Sequence, residues 1–134
     1  MTDFSGDWIL QPKESAFGFL PPPVLRHDRI AHNGPILEAT TRQVDDNGDN
    51  TVVRRLTIDG PPTEIEVLGR PRSISARIDG LELLVETRFE VSGRPRLIED
   101  RWTISDNPER LTLRRRVEQT GGAVRQTLVF ARQE

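Results

Sequence analysis

Charged side chains that share a strand face with apolar residues could hold an acidic molecule inside this protein. Asp100 falls between Ile98 and Trp102, and Arg115 comes two residues after Leu113. If these stretches are extended, each charge points to the same side as its apolar neighbours. Arg can hold a carboxylate through two parallel hydrogen bonds, and a charge buried alone is costly. The residue types therefore predict either an internal ion pair or a site for an anion.

Extended segments must position these side chains, because apolar and polar residues alternate along most of the chain. Turn signals such as Asn33-Gly34 and Ser92-Gly93 separate the segments, and no stretch keeps a helical period. A short irregular or helical passage is expected at 12–20, before the three prolines at 21–23. The predicted strands are roughly 4–10, 24–32, 35–44, 51–58, 63–68, 72–78, 81–91, 94–104, 110–120 and 123–132, with a longer polar loop at 45–50.

The predicted fold is an all-β, antiparallel up-and-down barrel of about 8–10 strands. A closed barrel removes exposed strand edges, which favours it over the alternative, a two-sheet sandwich. We expect one domain over residues 1–134, with no second domain and no interdomain linker.

Hairpin turns set the register, and the register decides which side chains face inward. If four turns centre on their Gly-containing pairs, the marker pairs are Ile78–Leu81, Val85–Asp100, Arg115–Leu128 and, on earlier strands, Arg29–Glu38. The turn at 106–108 then places Asp100 opposite Arg115. The outer face then carries the opposite-charge neighbours Arg77–Glu82, Glu99–Arg116 and Glu118–Arg125.

The inner face is predicted to be apolar at its ends and polar in the middle. Its polar members are Arg26, Asp28, Thr41, Gln43, Arg54, Thr87, Asp100, Arg115 and Gln126. These groups need partners, water or a ligand.

Two interpretations of this interior stay open at the level of sequence. In one, Asp100 and Arg115 form a self-sufficient salt bridge. In the other, the surplus guanidinium groups bind an amphipathic or acidic organic molecule. Its head group would be held by Arg115, with Arg54 and Gln126 nearby, and its tail would contact Trp102, Leu83, Leu113 and Phe130. Arg26, Thr41 and Thr87 complete the candidate site.

The first strand carries a Gly-x-Trp pattern in the passage Phe4-Ser5-Gly6-Asp7-Trp8. Together with Asp59-Gly60 and Gly69-Arg70-Pro71, this opening resembles bacterial lipocalin-like proteins of uncharacterised function, in the calycin superfamily. The resemblance implies a calycin-type barrel. It also implies structural roles in which Trp8 closes one barrel end and Arg132 packs over it. Fatty-acid-binding proteins of that superfamily hold a carboxylate with inward Arg residues, and Arg115 with Gln126 is similar in arrangement.

Composition argues against several other classes of function. The net charge of -2 offers no field for nucleic acid, and there is no cysteine. His27 and His32 lack partners at metal-ligand spacing, so that no metal or other cofactor is expected. No signal peptide or membrane span is evident, which predicts a soluble cytoplasmic protein, monomeric or homodimeric.

The segment between the first two predicted strands, residues 11–23, is called the N-terminal linker here. It and the interior carboxylates leave further alternatives open. Phe17, Phe19 and Leu20 would form a lid over the barrel mouth, a plug or a dimer contact. Asp28 or Asp100 would act as acid or base if the barrel is an isomerase-like or cyclase-like enzyme. Arg partners are available to both carboxylates, so the binding function is favoured over the enzyme. A packed structural or interaction protein without a ligand is the third hypothesis.

Overall fold

A computed structural model describes residues 2–106, 108–119 and 121–133 of the 134-residue chain. Two predicted turn or strand-end residues, Asn107 and Thr120, lie outside that range, as do Met1 and Glu134. The strands are β1 Gly6–Leu10, β2 Leu25–Asn33, β3 Ile36–Asp45, β4 Gly48–Thr57, β5 Thr63–Val67, β6 Arg70–Asp79, β7 Glu82–Val91, β8 Arg94–Asp106, β9 Glu109–Gln119 and β10 Gly122–Arg132. A 3-10 turn at Pro12–Glu14 follows β1. No helix in the described residues is long and apolar enough to cross a membrane.

The ten strands form one antiparallel sheet that curls into a nearly closed barrel, as predicted. Its order is β4-β3-β2-β1-β10-β9-β8-β7-β6-β5, so that only β4 and β5 lack a second neighbour. A parallel bridge between Ile58 and Ala76, with a hydrogen bond from the Asp59 N–H to the Ala76 carbonyl (2.8 Å), joins the chain after β4 to β6. The barrel wall is therefore tied across at this point, and β4 and β5 flank its least-paired part.

The hairpin turns confirm the inward face but correct several registers by two residues. Ile78 pairs with Leu83 rather than Leu81, and Arg115 pairs with Gln126 rather than Leu128. Gly80 has a φ of 64° and opens its turn, whereas the prediction placed it second. A two-residue turn with Gly at the first central position is the type II′ arrangement. When the turn moves by one residue, each residue pairs with a partner two positions further along the opposite strand. That partner points to the same side of the sheet, so the inward-facing residues stay the same.

Other turns follow the same logic. Gly34, with a φ of 61°, also opens its turn, so that Arg29 pairs with Thr40 instead of Glu38. At Ser92-Gly93 both residues have positive φ, the type I′ turn, and the predicted pairing of Val85 with Asp100 is confirmed. The predicted loop at 45–50 is wrong, because Asp45 pairs with Gly48 across a two-residue turn.

The shifted registers also change the outer ion pairs. Glu99 and Arg116 are paired as predicted, with a shortest N–O distance of 3.7 Å. Glu82 lies opposite Asp79 rather than Arg77, and its carboxylate instead accepts a 2.8 Å hydrogen bond from Arg114. The predicted pairing of Glu118 with Arg125 is wrong as well, because Ala123 lies opposite Glu118.

The barrel interior divides into two parts, which we call the closed half and the polar half. The closed half is apolar and fully buried, and comprises Phe4, Trp8, Leu37, Leu83, Trp102, Leu111, Leu113 and Phe130. The polar half comprises Arg26, Asp28, Thr41, Arg54, Thr87, Asp100 and Arg115. On β8 the change occurs between Trp102 and Asp100, two residues apart on the same face.

Candidate functional site

A cavity of about 140 Å³ lies in the polar half, beside the flanking strands β4 and β5. Its apolar wall includes Val52 from β4, Ile65 and Val67 from β5, and Ile98 from β8. Its polar wall is formed by Arg26, Thr41, Arg54, Arg72, Thr87, Asp100 and Arg115. Six of the eight residues predicted from sequence as ligand-binding line this cavity, and the other two, Gln126 and Trp102, do not.

The predicted pair of Asp100 and Arg115 is formed inside the barrel. Arg115 Nε and one terminal nitrogen donate hydrogen bonds of 2.8 and 3.0 Å to the two Asp100 carboxylate oxygens. Only 2% of Asp100 is exposed. Burial disfavours the Arg115 charge, but the adjacent Asp100 carboxylate outweighs it and raises the pKa of Arg115. This bidentate geometry satisfies both side chains and cancels their charges.

A second buried pair repeats the arrangement on β2. Arg26 donates two hydrogen bonds of 3.1 Å to the carboxylate of Asp28, which is fully buried. Burial alone would raise the pKa of Asp28, yet the Arg26 guanidinium holds that pKa below its ordinary value. Both interior carboxylates are therefore held by guanidinium groups, which removes the motive for assigning either one as a catalytic acid or base.

Arg54 differs from these two arginines because it has no carboxylate partner among the described residues. Its one side-chain hydrogen bond is donated to the Thr41 hydroxyl, at 3.1 Å. Burial, together with the positive charges of Arg26 and Arg115, lowers the pKa of Arg54 to about 10, although the nearby carboxylates of Asp28 and Asp100 act in the opposite direction. Arg54 thus stays protonated at neutral pH, with most of its donors unused.

Arg72 on β6 is a site residue that the sequence analysis missed. It has the inward parity of Ile74, and that parity was the signal that could have found it. Its guanidinium carbon lies 4.3 Å from the centre of the Phe89 ring, and its buried Nε has no hydrogen-bond partner. Burial and the neighbouring charges of Arg115 and Arg70 lower the pKa of Arg72.

Gln126 lies beside the site but is already engaged with the N-terminal linker. Its amide nitrogen donates to the Phe17 carbonyl at 3.1 Å, and Ala16 forms a bridge to Thr127. The linker therefore lies against β10 and encloses a further void of about 170 Å³ that Arg115 also lines. Phe17 packs against the core, whereas Phe19 is 76% exposed.

Trp102 and the other residues expected to contact a ligand tail are placed in the closed half. Trp102 is fully buried against Phe4, with ring centroids 5.9 Å apart in an edge-to-face arrangement. Trp102, Leu83 and Leu113 do not line the three interior cavities of about 140, 170 and 230 Å³ that the described residues form. All three are fully buried in the closed half, and the expectation that they hold a ligand tail stays a prediction.

The end of the barrel away from the cavity, in the closed half, is closed by Trp8 and Arg132. The Arg132 guanidinium carbon lies 4.4 Å from the centre of the Trp8 ring and one nitrogen donates to the Ser5 carbonyl at 2.8 Å. Gly6 leaves the room for this stacking, because a Cβ there would collide with the guanidinium. His32 accepts a hydrogen bond from the Phe4 N–H, and the described residues contain no cluster of His, Cys, Asp and Glu suited to a metal.

No protein-family model matches the chain, and no curated protein matches its sequence. Solved structures do share its fold over nearly the whole length. A "REP1-NXSQ fatty acid transporter" aligns with a TM-score of 0.69 and 16% identity, covering 98% of this chain and 97% of that one. The "secretary abundant heat soluble (SAHS) protein" from Ramazzottius varieornatus aligns with a TM-score of 0.74 and 11% identity, covering 97% of this chain and 95% of that one. Zebrafish ileal bile acid-binding protein, complexed with cholic acid, aligns with a TM-score of 0.67 and 14% identity, covering 97% of this chain and 98% of that one. These neighbours confirm the predicted fold class.

Proposed function

We propose that this protein binds a small acidic organic molecule in the polar half of its barrel. One observation carries the proposal: the protonated guanidinium of Arg54 lines the cavity and forms no ion pair with a carboxylate among the described residues. A buried unpaired charge is costly, and an anionic head group would compensate it. The names of the solved neighbours, a fatty acid transporter and a bile acid-binding protein, support a lipophilic acid as the ligand class.

The head-group role passes from Arg115, where the sequence placed it, to Arg54. Arg115 already donates two hydrogen bonds to Asp100, and Gln126 already donates to Phe17. Arg26 is likewise committed to Asp28. These residues shape the cavity and fix its charge, while Arg54 offers free donors to a ligand.

The apolar wall suits the remainder of such a molecule. Val52, Ile65, Val67 and Ile98 face the same cavity from three strands. Its volume of about 140 Å³ is below the roughly 300–1,000 Å³ of pockets that enclose drug-sized ligands. We therefore propose a compact acid with a short apolar part rather than a long-chain lipid.

Isothermal titration with hexanoate, octanoate and benzoate tests the proposal. Wild-type protein should bind at least one of these acids, and Arg54→Met should weaken binding about 10- to 100-fold, the effect of losing one charge-assisted hydrogen bond. Arg88→Met is the matched control, since Arg88 lies on the outer face of β7 with Glu86 as its partner. The absence of binding to the whole panel, or equal affinity in Arg54→Met, would refute the proposal.

A further inference from the structure

The charges around the cavity do not balance. Four guanidinium groups line it, from Arg26, Arg54, Arg72 and Arg115. Two carboxylates, those of Asp28 and Asp100, compensate part of this charge. Each accepts a bidentate pair of hydrogen bonds from one arginine, Arg26 or Arg115. Two positive charges are left over, and they belong to Arg54 and Arg72.

These two arginines are unsatisfied in different ways. Neither forms an ion pair with any residue in the described ranges. Arg54 has a hydroxyl as its one hydrogen-bonded side-chain partner, and Arg72 has a buried Nε that donates to nothing. An Arg side chain offers five N–H donors, so the pair presents a surplus of donors together with a surplus of charge. Both line the same 140 Å³ space, from β4 and β6 on either side of β5.

We infer that the head group bound here carries two negative charges, as a phosphate monoester or a compact dicarboxylate does. The inference rests on the proposed function and specifies its ligand. A single carboxylate would satisfy one guanidinium and leave the other, on a partly buried side chain, without an ion partner. A dianion answers both, and a phosphate supplies about two charges and three acceptor oxygens in a small volume.

Three probes of similar size separate charge from hydrophobicity: hexyl phosphate, butylmalonate and hexanoate. Titrations at pH 7.5 and fixed ionic strength should show the two dianions, or one of them, binding at least about 10-fold more tightly than hexanoate. Binding of hexyl phosphate alone would identify a phosphate site, and binding of butylmalonate alone would identify a dicarboxylate site. Either result supports the dianion.

Arg72→Met isolates the second charge. In this variant the dianions should fall to the affinity of hexanoate, while hexanoate itself should change little because Arg54 remains. Hexyl phosphate should bind wild-type protein more tightly as the pH rises from 5 to 7.5, through a second ionisation near pH 6, and this trend should be lost in Arg72→Met. Arg88→Met again serves as the control, and circular dichroism verifies that each variant is folded. If Arg72→Met does not fold, the measurement is repeated with Arg72→Gln.

The outcomes distinguish this inference from the function on which it rests. If hexanoate binds as tightly as both dianions, or if Arg72→Met keeps the preference for dianions, the inference of a dianionic head group is refuted. The proposed binding of an acidic molecule is then retained. If none of the three probes binds, both are wrong.

Discussion

The closed half and the polar half of this barrel are built from the same strands but solve opposite problems. Trp102 and Asp100 are two residues apart on β8 and face the same interior. Trp102 packs in a fully buried apolar cluster, whereas Asp100 is part of a charged layer that borders a cavity. The difference separates stability, which comes from close packing, from binding, which needs space and uncompensated charge.

The largest expected effect is a loss of packing in the closed half. Phe130→Ala should lower the free energy of unfolding by about 3–5 kcal/mol, because it leaves a void among fully buried neighbours. Ile98→Ala is the matched change in the polar half, where the side chain already borders a cavity, and it should cost about 2 kcal/mol or less. Urea unfolding of both variants measures the contrast. Equal losses would mean that the two halves are equally packed.

A smaller effect is expected from breaking the buried pair on β2. Asp28→Asn should cost about 3 kcal/mol at pH 7, since it leaves the Arg26 charge buried without a carboxylate. The pKa of Asp28 is lowered in the folded state, so its contribution is complete above the ordinary Asp pKa and is lost as the pH falls through the lowered value. The stability gap between wild type and Asp28→Asn should therefore narrow below about pH 4.

The surface pair Arg42–Asp49 provides the control for that measurement. It has the same bidentate geometry, at 3.0 and 2.8 Å, but it is exposed to solvent. Asp49→Asn should change the unfolding midpoint little, because water replaces the lost partner. If Asp28→Asn behaves as Asp49→Asn does, the polar half is wet enough for burial to have no consequence.

A small effect of the opposite sign is expected from removing the Arg54 charge. Arg54→Met should raise the stability of the ligand-free protein by on the order of 1 kcal/mol, since it removes a charge that burial and neighbouring arginines disfavour. The same substitution removes the proposed ligand contact. Thermal unfolding with and without ligand checks both statements, and a destabilised Arg54→Met protein would show that Arg54 is structural.

Particular residues show how far the sequence could predict this site. Asp100 and Arg115 were placed opposite each other by the register taken for the turn at 106–108, which agreed with the Ser92-Gly93 register and kept the apolar residues on one face. Arg72 was missed although it is the first residue of the predicted strand 72–78 and shares the parity of Ile74, because the predicted pairs of this hairpin stopped at Ile74. Gln126 was placed in the interior, but its bond to Phe17 could not be predicted, since the linker has no periodic pattern.

The sequence alone determined the strands and their inward faces, because an alternation of period two and turn-forming residues are local properties. A register error of two residues, as at Gly80, left those faces unchanged. Only the tertiary structure decided where the interior closes and where a cavity remains. That outcome depends on how side chains from distant strands fill space, as Trp102 does against Phe4. It also decided which guanidinium groups find a carboxylate and which do not, because ion pairing depends on distances of a few ångströms between strands that are remote in the chain.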